Sequence, residues 1–251
     1  MELNELKDFL DFKATLYENP LFLEHDPIQL PHKFSRKEDI EIIGFLMATI
    51  AWGNRKSIIN SGDKLLHLMG ESPLDYIMNY QSKKKTTAFV HRTFNAQDLD
   101  FFFRSLKYIY QNKGGLEKVF DTNNATNCKD RIACFRKHFL DTAHEQRSEK
   151  HLSNPQKNSA CKRLVMFLRW MVRDEKKGVD FGLWKKISPS ELYIPLDVHT
   201  GTIARKLGLL KRTQNDWATN EELIEILRKF DPADPAKYDF ALFGLGAFEK
   251  F

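Results

Sequence analysis

The run at 194–210, IPLDVHTGTIARKLGLL, places Asp197 two residues after Pro195 and directly ahead of a stretch with helical spacing. His199 comes two residues after it, and Arg205 and Lys206 lie further along the same stretch. A proline pushes the residue before it into extended backbone, and an aspartate at such a point is a good helix N-cap. Two readings follow. Asp197 is a cap and nothing more, or it is a carboxylate with a chemical task. Backbone N–H groups and the positive end of a helix stabilise its charge. Such a carboxylate stays ionised at neutral pH and can stabilise a developing cation.

Lys162 is the second candidate. Asn154 and Pro155 are read as opening a helix that ends near Arg173, with Leu164, Phe167, Leu168 and Met171 as its core stripe. Lys162 then lies about one turn from Val165, Met166 and Arg169. Apolar neighbours, the positive helix start and Arg169 all favour the neutral amine, the form that acts as a nucleophile. The alternative is a surface lysine whose stem runs along the core while its head stays in water.

Other groups carry less. Glu24-His25-Asp26-Pro27 contains the adjacent His-Asp pair of metal-dependent phosphohydrolases, but those need further ligands on helices, and Pro27 argues for a loop. Gly244-Leu245-Gly246 reads as a helix C-cap, or as a Gly-x-Gly hairpin whose N–H groups meet a phosphate. Trp52, in AWGNRK beside Asn54, Arg55 and Lys56, suits stacking on a nucleobase; it equally suits a core. Cys128, Cys134 and Cys161 show no metal-ligand spacing and are read as reduced thiols.

The chain has 251 residues and a net charge of +5, from 39 Lys+Arg against 34 Asp+Glu. That excess permits nucleic-acid binding without requiring it. Cations cluster at Arg55 and Lys56, at Lys83, Lys84 and Lys85, at Lys176 and Lys177, and at Lys185 and Lys186; each cluster also reads as solvated surface. No apolar run of about 18 residues is present, so no membrane span is expected. The first residues lack the order of a signal peptide, which makes cytoplasm the expected location.

The elements around these residues read as helices almost throughout. Ser35 and Glu38 form a capping-box pattern ahead of IEIIGFLMATIAW, apolar nearly all round and so a buried central helix. Ser72 and Pro73 suit an N-cap and first turn; Asn95 suits the cap of QDLDFFFRSLKYIYQN, which Gly114 and Gly115 end. Ile132, Phe135 and Phe139 mark a helix within 126–141. Thr219 and Glu222 repeat the capping-box pattern, and Asp234 and Pro235 start a last helix. The polar run AHEQRSEKHLSNPQKNS marks a lobe boundary. No stretch alternates with period two, so few or no strands are expected.

IPLDVHTGTIARKLG resembles the Val-Asp-Thr-His segment and Arg-containing helix of the helix-hairpin-helix-GPD DNA glycosylases. IIGFLMATIAWGNRKSIINSGDKLL is similar to the buried helix, turn and next helix that begin the other lobe of that superfamily. KRLVMFLRWMVR resembles the lysine-bearing helix of the archaeal 8-oxoguanine glycosylases. The whole chain also resembles a bacterial family known as a domain of unknown function. The resemblance implies that Asp197 is the catalytic aspartate and Lys162 the Schiff-base lysine. Two family features are missing. DEKKGVDFGLWKKISPSELY stands where the Leu-Pro-Gly-Val-Gly hairpin is usual, and the four-cysteine cluster loop has no counterpart.

The expectation is an all-α protein with two helical lobes and a cleft between them: residues 40–150 form one lobe, and 1–39 with 151–251 form the other. The expected activity is a DNA repair glycosylase, with or without lyase activity, removing an oxidised purine such as 8-oxoguanine. Lys162 and Asp197 are its catalytic residues. Trp52, Asn54, Arg55, Lys56, His199 and Arg205 are its base and DNA contacts. It needs no cofactor or metal, and its partner is duplex DNA with a damaged base, bound by a monomer. The alternatives are a non-catalytic DNA-binding protein of the same fold and a metal-dependent helical phosphohydrolase using His25 and Asp26.

Overall fold

A computed structural model describes residues 2–82, 88–122 and 125–251; Lys83, Lys84 and Lys85 lie outside the described residues. The fold is all-α. In chain order the helices are α1 (Leu3–Tyr17), α2 (Lys37–Ile50), α3 (Arg55–Met69), α4 (Pro73–Asn79), α5 (Ala96–Asn112), α6 (Leu116–Phe120), α7 (Cys128–Phe139), α8 (Lys162–Val172), α9 (Val198–Lys206), α10 (Trp217–Phe230) and α11 (Tyr238–Ala247). Among the described residues the β-structure is one antiparallel hairpin, β1 (Val90–His91) with β2 (Phe94–Asn95), and an isolated bridge between Ser159 and Asp216. No helix among the described residues is long and apolar enough to cross a membrane.

Contacts divide the chain into two compact units. One is His25–Asn154; the other joins the residues up to Glu24 with Pro155–Phe251. Residues 25–39, expected with the C-terminal part, therefore belong with the middle of the chain. The reason is local. Pro27 and Pro31 each open a 3-10 turn, and Pro27, Ile28, Leu30 and Pro31 are buried in the unit that holds α2 and α3.

In the middle unit, α2 is buried continuously from Asp39 to Ile50, as an all-round apolar helix must be. Phe45 sits among Phe102, Phe135 and Phe139 at centroid distances of 5.7, 5.3 and 5.2 Å. Phe120 stacks on Phe135 at 4.2 Å. Asn95 caps α5 with Asp98 completing the box. The expected Ser35–Glu38 box does not form: Arg36 is the N-cap of α2 and makes no side-chain cap bond. Asp39 of that first turn instead accepts the Leu74 N–H at 2.7 Å, the bond that Ser72 was expected to make for α4. A carboxylate from another helix outcompetes the local hydroxyl for the same orphan donor.

In the other unit, Trp170, Trp184, Trp217 and Tyr238 are fully buried. The segment after α8 folds back on it, Phe181 and Trp184 donating their N–H groups to the Trp170 and Met171 carbonyls at 2.8 and 2.9 Å. This satisfies the open end of the helix without a helical hairpin. Three readings need correction. The Thr219–Glu222 box is replaced by Asp216, which caps α10 three residues earlier, so that Thr219 lies inside the helix. Gly244 and Gly246 lie within α11 and are not its cap. A Cβ on Gly244 would stand 2.0 Å from the Tyr17 ring, so glycine there allows α1 to approach α11. Finally, no continuous helix runs from Pro155. A short 3-10 turn, Pro155–Lys157, is followed by Ser159, which bridges to Asp216, and α8 begins only at Lys162.

Candidate functional site

Lys162 and Asp197 meet. The Lys162 ammonium donates to Asp197 Oδ2 at 2.5 Å, with the two side chains 37% and 26% exposed. The other carboxylate oxygen accepts the Thr200 N–H at 2.9 Å, so Asp197 is also the N-cap of α9. The two readings of Asp197 are therefore not exclusive: one oxygen caps, and the other faces an amine. Lys162 is the first residue of α8, at the positive helix end, where a cation is ordinarily disfavoured.

The N-terminal part of α10 positions both partners. Before Lys162, the Trp217 N–H donates to the Asn158 carbonyl at 3.0 Å, and the Asn158 amide donates to Asp216 Oδ2 at 2.9 Å. Ser159 bridges Asp216. Asn158 and Cys161 adopt left-handed backbone, with φ of 60° and 49°. Each such non-glycine residue costs on the order of 1 kcal/mol, so the turn into Lys162 is held by its contacts, not by local preference. Before Asp197, the buried Asn220 amide donates to the Ile194 carbonyl at 2.7 Å, and Tyr193 packs on Trp217 with ring centroids 4.9 Å apart. Pro195 and Leu196 are buried there, which aims the chain into α9.

A second carboxyl, missed in the sequence, belongs to this site. Asp239, buried on the first turn of α11, accepts from the guanidinium of Arg169, which lies 4.4 Å from the Phe240 ring centroid. Burial, joined by the charge of Asp197, raises the Asp239 carboxyl to about 6 against the pull of Arg169 and Lys162. At Asp197 burial also pushes upward, but Lys162, the Thr200 N–H and His199 outweigh it and hold the carboxyl below its ordinary value. The two carboxyls are thus driven apart in protonation. Arg169 continues into a buried ionic chain: its Nε is 3.3 Å from Asp180, and Arg173 binds Asp180, Glu18 and Asp234 at 2.7, 2.7 and 2.8 Å. Lys162, Arg169 and Arg173 recur at roughly two-turn and one-turn intervals along α8, which was the available signal for this polar face.

The remaining residues fall into two groups. His199 is exposed on the first turn of α9. Arg205 is engaged by its own surroundings, donating to the Arg212 and Gln214 carbonyls and to Asn215 at 2.7, 2.9 and 2.6 Å. Trp52, Asn54, Arg55 and Lys56 belong to the other unit. Trp52 is half-buried and stacks on His151 at 5.5 Å with an interplanar angle of 13°. Asn54 caps α3 through the Ser57 N–H at 3.3 Å, Arg55 is the first residue of that helix, and Lys56 is exposed. Asp26 caps a 3-10 turn through the Ile28 N–H, and the His25 side chain lies outside the described residues. Among the described residues no group of three or more His, Cys, Asp or Glu is arranged to hold a metal ion. No disulfide joins Cys128, Cys134 or Cys161.

These features define an all-α protein carrying a lysine–aspartate pair at two helix N-termini, with a buried acid of raised affinity for protons beside it. The chain belongs to the family described as a protein of unknown function (DUF2400), whose model matches residues 26–248. No curated protein and no solved structure matches it.

Proposed function

We propose that this protein is a DNA glycosylase that removes an oxidised purine such as 8-oxoguanine from duplex DNA, with Lys162 as nucleophile and Asp197 as its partner. The observation that carries the reading is the 2.5 Å contact between the Lys162 amine and a carboxylate whose other oxygen is fixed by a helix start. The resemblance of the two segments to the helix-hairpin-helix-GPD glycosylases supports it. In the reaction the Lys162 ammonium first gives a proton to the Asp197 carboxylate, which passes it on toward the departing base, and the freed amine nitrogen bonds to the sugar C1′ as the bond from C1′ to the base breaks. The base leaves with the bonding pair and takes up a proton. The attached nitrogen, now positive, gives a proton to the carboxylate of Asp197, and opening of the sugar ring yields a Schiff base. Before that, Asp197 stabilises the positive charge that builds on the sugar. The target base must leave the helix stack to be reached.

A second reading, a DNA-binding protein without chemistry, is favoured by one observation: between α8 and α9 the chain forms 3-10 turns at Glu175–Lys177 and Pro189–Glu191 where the glycosylases carry a phosphate-binding hairpin. One experiment separates the two. The protein is incubated with duplexes bearing different base lesions, with borohydride present to reduce an imine. A covalent protein–DNA adduct that Lys162→Gln abolishes, while the variant stays folded and still binds the duplex, supports the glycosylase. DNA binding with no base release and no adduct on any lesion leaves the second reading standing.

A further inference from the structure

In the unit His25–Asn154, α3 and the turn of the hairpin border a depression of about 400 Å³. Its walls carry three cations: Lys56 and Lys64 from α3, and Arg92 from the turn between β1 and β2. No acidic residue lines it. Among the described residues, none of the three cations has an ion-pair partner. Lys56, Asn60 and Lys64 follow one another at four-residue spacing and share one face of α3.

The placement of Arg92 depends on two backbone features. His91 pairs with Phe94, so Arg92 is the first residue of a two-residue hairpin turn. Such turns ask for positive φ at that point, and Arg92 supplies it at 55°. Its guanidinium then lies against Gly53, where a Cβ would stand 2.6 Å from Nη1. Gly53 itself has φ of 99°. A side chain at 53 would displace the cation from the rim.

The floor adds no negative charge. His91 is 2% exposed; its Nε2 lies 3.2 Å from the Trp52 carbonyl and its Nδ1 2.9 Å from the Ser61 hydroxyl. A carbonyl only accepts, so Nε2 carries the hydrogen and Nδ1 accepts from Ser61. Burial lowers the affinity of His91 for a second proton, so the ring stays neutral. The three cations therefore border one depression whose other rim groups include the hydroxyl of Ser57 and the amide of Asn60. Gathered like charges with neutral donors between them make a field suited to an anion with several oxygens. The walls are exposed, and only Ser61 and His91 at the floor are buried. A ligand here is gripped at one group and stays open to water elsewhere. That describes a polymer backbone better than an enclosed small molecule.

We propose that this depression is a phosphate-binding site and that its ligand is a backbone phosphodiester of nucleic acid. The anion site stands on its own geometry; only the identity of the polymer rests on the DNA reading above. The test uses the full chain and the double variant Lys64→Gln, Arg92→Gln, both positions being exposed, with circular dichroism to establish that it is folded. Affinity for an undamaged duplex is measured by fluorescence anisotropy across a range of salt. If each cation neutralises a phosphate, the slope of log affinity against log salt falls by about 1.8, or about 0.9 for each charge removed. An unchanged slope overturns the backbone assignment. In parallel, inorganic phosphate is titrated into isotope-labelled protein, and the amide signals of Ser57 and Asn60 are followed. Shifts that the double variant loses, and that duplex DNA displaces, support the whole proposal. Shifts that DNA cannot displace assign the site to a free phosphate ester and overturn the polymer assignment. No shift with phosphate and no change of slope overturn the anion site itself. Failure of the wild type to bind duplex, with the phosphate shifts present, removes the DNA reading and leaves the anion site in place.

Discussion

Replacing Asp197 by asparagine separates its two tasks. Asparagine keeps an oxygen for the Thr200 N–H, which Asp197 Oδ1 accepts at 2.9 Å, and it caps helices about as well as aspartate. What is lost is the charge. Its interaction with the start of α9 is worth about 0.3–1 kcal/mol. The pair with Lys162, with side chains 37% and 26% exposed, adds about 0–1 kcal/mol, since water screens such contacts. Asp197→Asn should therefore cost about 0.3–2 kcal/mol, a melting-temperature drop of at most a few degrees for a chain of this size. Asp197→Ala removes the cap as well and should cost a further ~0.5–2 kcal/mol. Activity should respond differently. Loss of one fixed electrostatic contact in a transition state typically lowers the rate about 100- to 1,000-fold, and both variants lose that contact. Single-turnover base release from the best lesion duplex, read beside thermal melting, gives both quantities. Near-normal base release by a folded Asp197→Asn protein would refute the catalytic role and leave the aspartate as a cap.

Three further outcomes follow from the same unit. The Asp239 carboxyl, raised to about 6 in the folded chain from an ordinary value of 3.8, binds more protons folded than unfolded between those values. Its contribution must fall as pH rises through that window and level off above it. Asp239→Asn should remove this decline, so the stability difference between variant and wild type, from urea midpoints, should change between about pH 4 and 6 and be flat above; a difference constant across the window would show that the acid is not perturbed. Asn220→Ala leaves the Ile194 carbonyl, now bonded at 2.7 Å, without its partner in a buried site. It should cost about 1–3 kcal/mol and lower base release further by loosening the approach to Asp197; an unchanged melting temperature would argue against that anchor. Gly244→Ala sets a methyl group 2.0 Å from the Tyr17 ring, and overpacking of this kind should cost about 1–3 kcal/mol. A neutral or stabilising effect would mean that Tyr17 yields freely.

Helical class, the buried α2 and the caps Asn95 and Asp197 are all legible from the chain, because each rests on interactions within about one turn of helix. The same short patterns mislead at Ser72 and at Thr219–Glu222. There the outcome depends on competing partners: Asp39 is spent on the start of α4, and Asp216 takes the cap of α10 while also holding Asn158. The start of α8 fails for the same reason. Proline and good helix formers favour an early start, yet Asn158 and Ser159 are drawn into contacts with Asp216, Trp217 and Ala218 nearly sixty residues on. Lys162 and Asp197 were each recognisable by type and setting, but their meeting across 35 positions was not. Asp239 carried no mark of its own. A carboxyl acquires raised proton affinity only from burial and from the charges brought beside it, and both come from packing between helices that are distant in sequence.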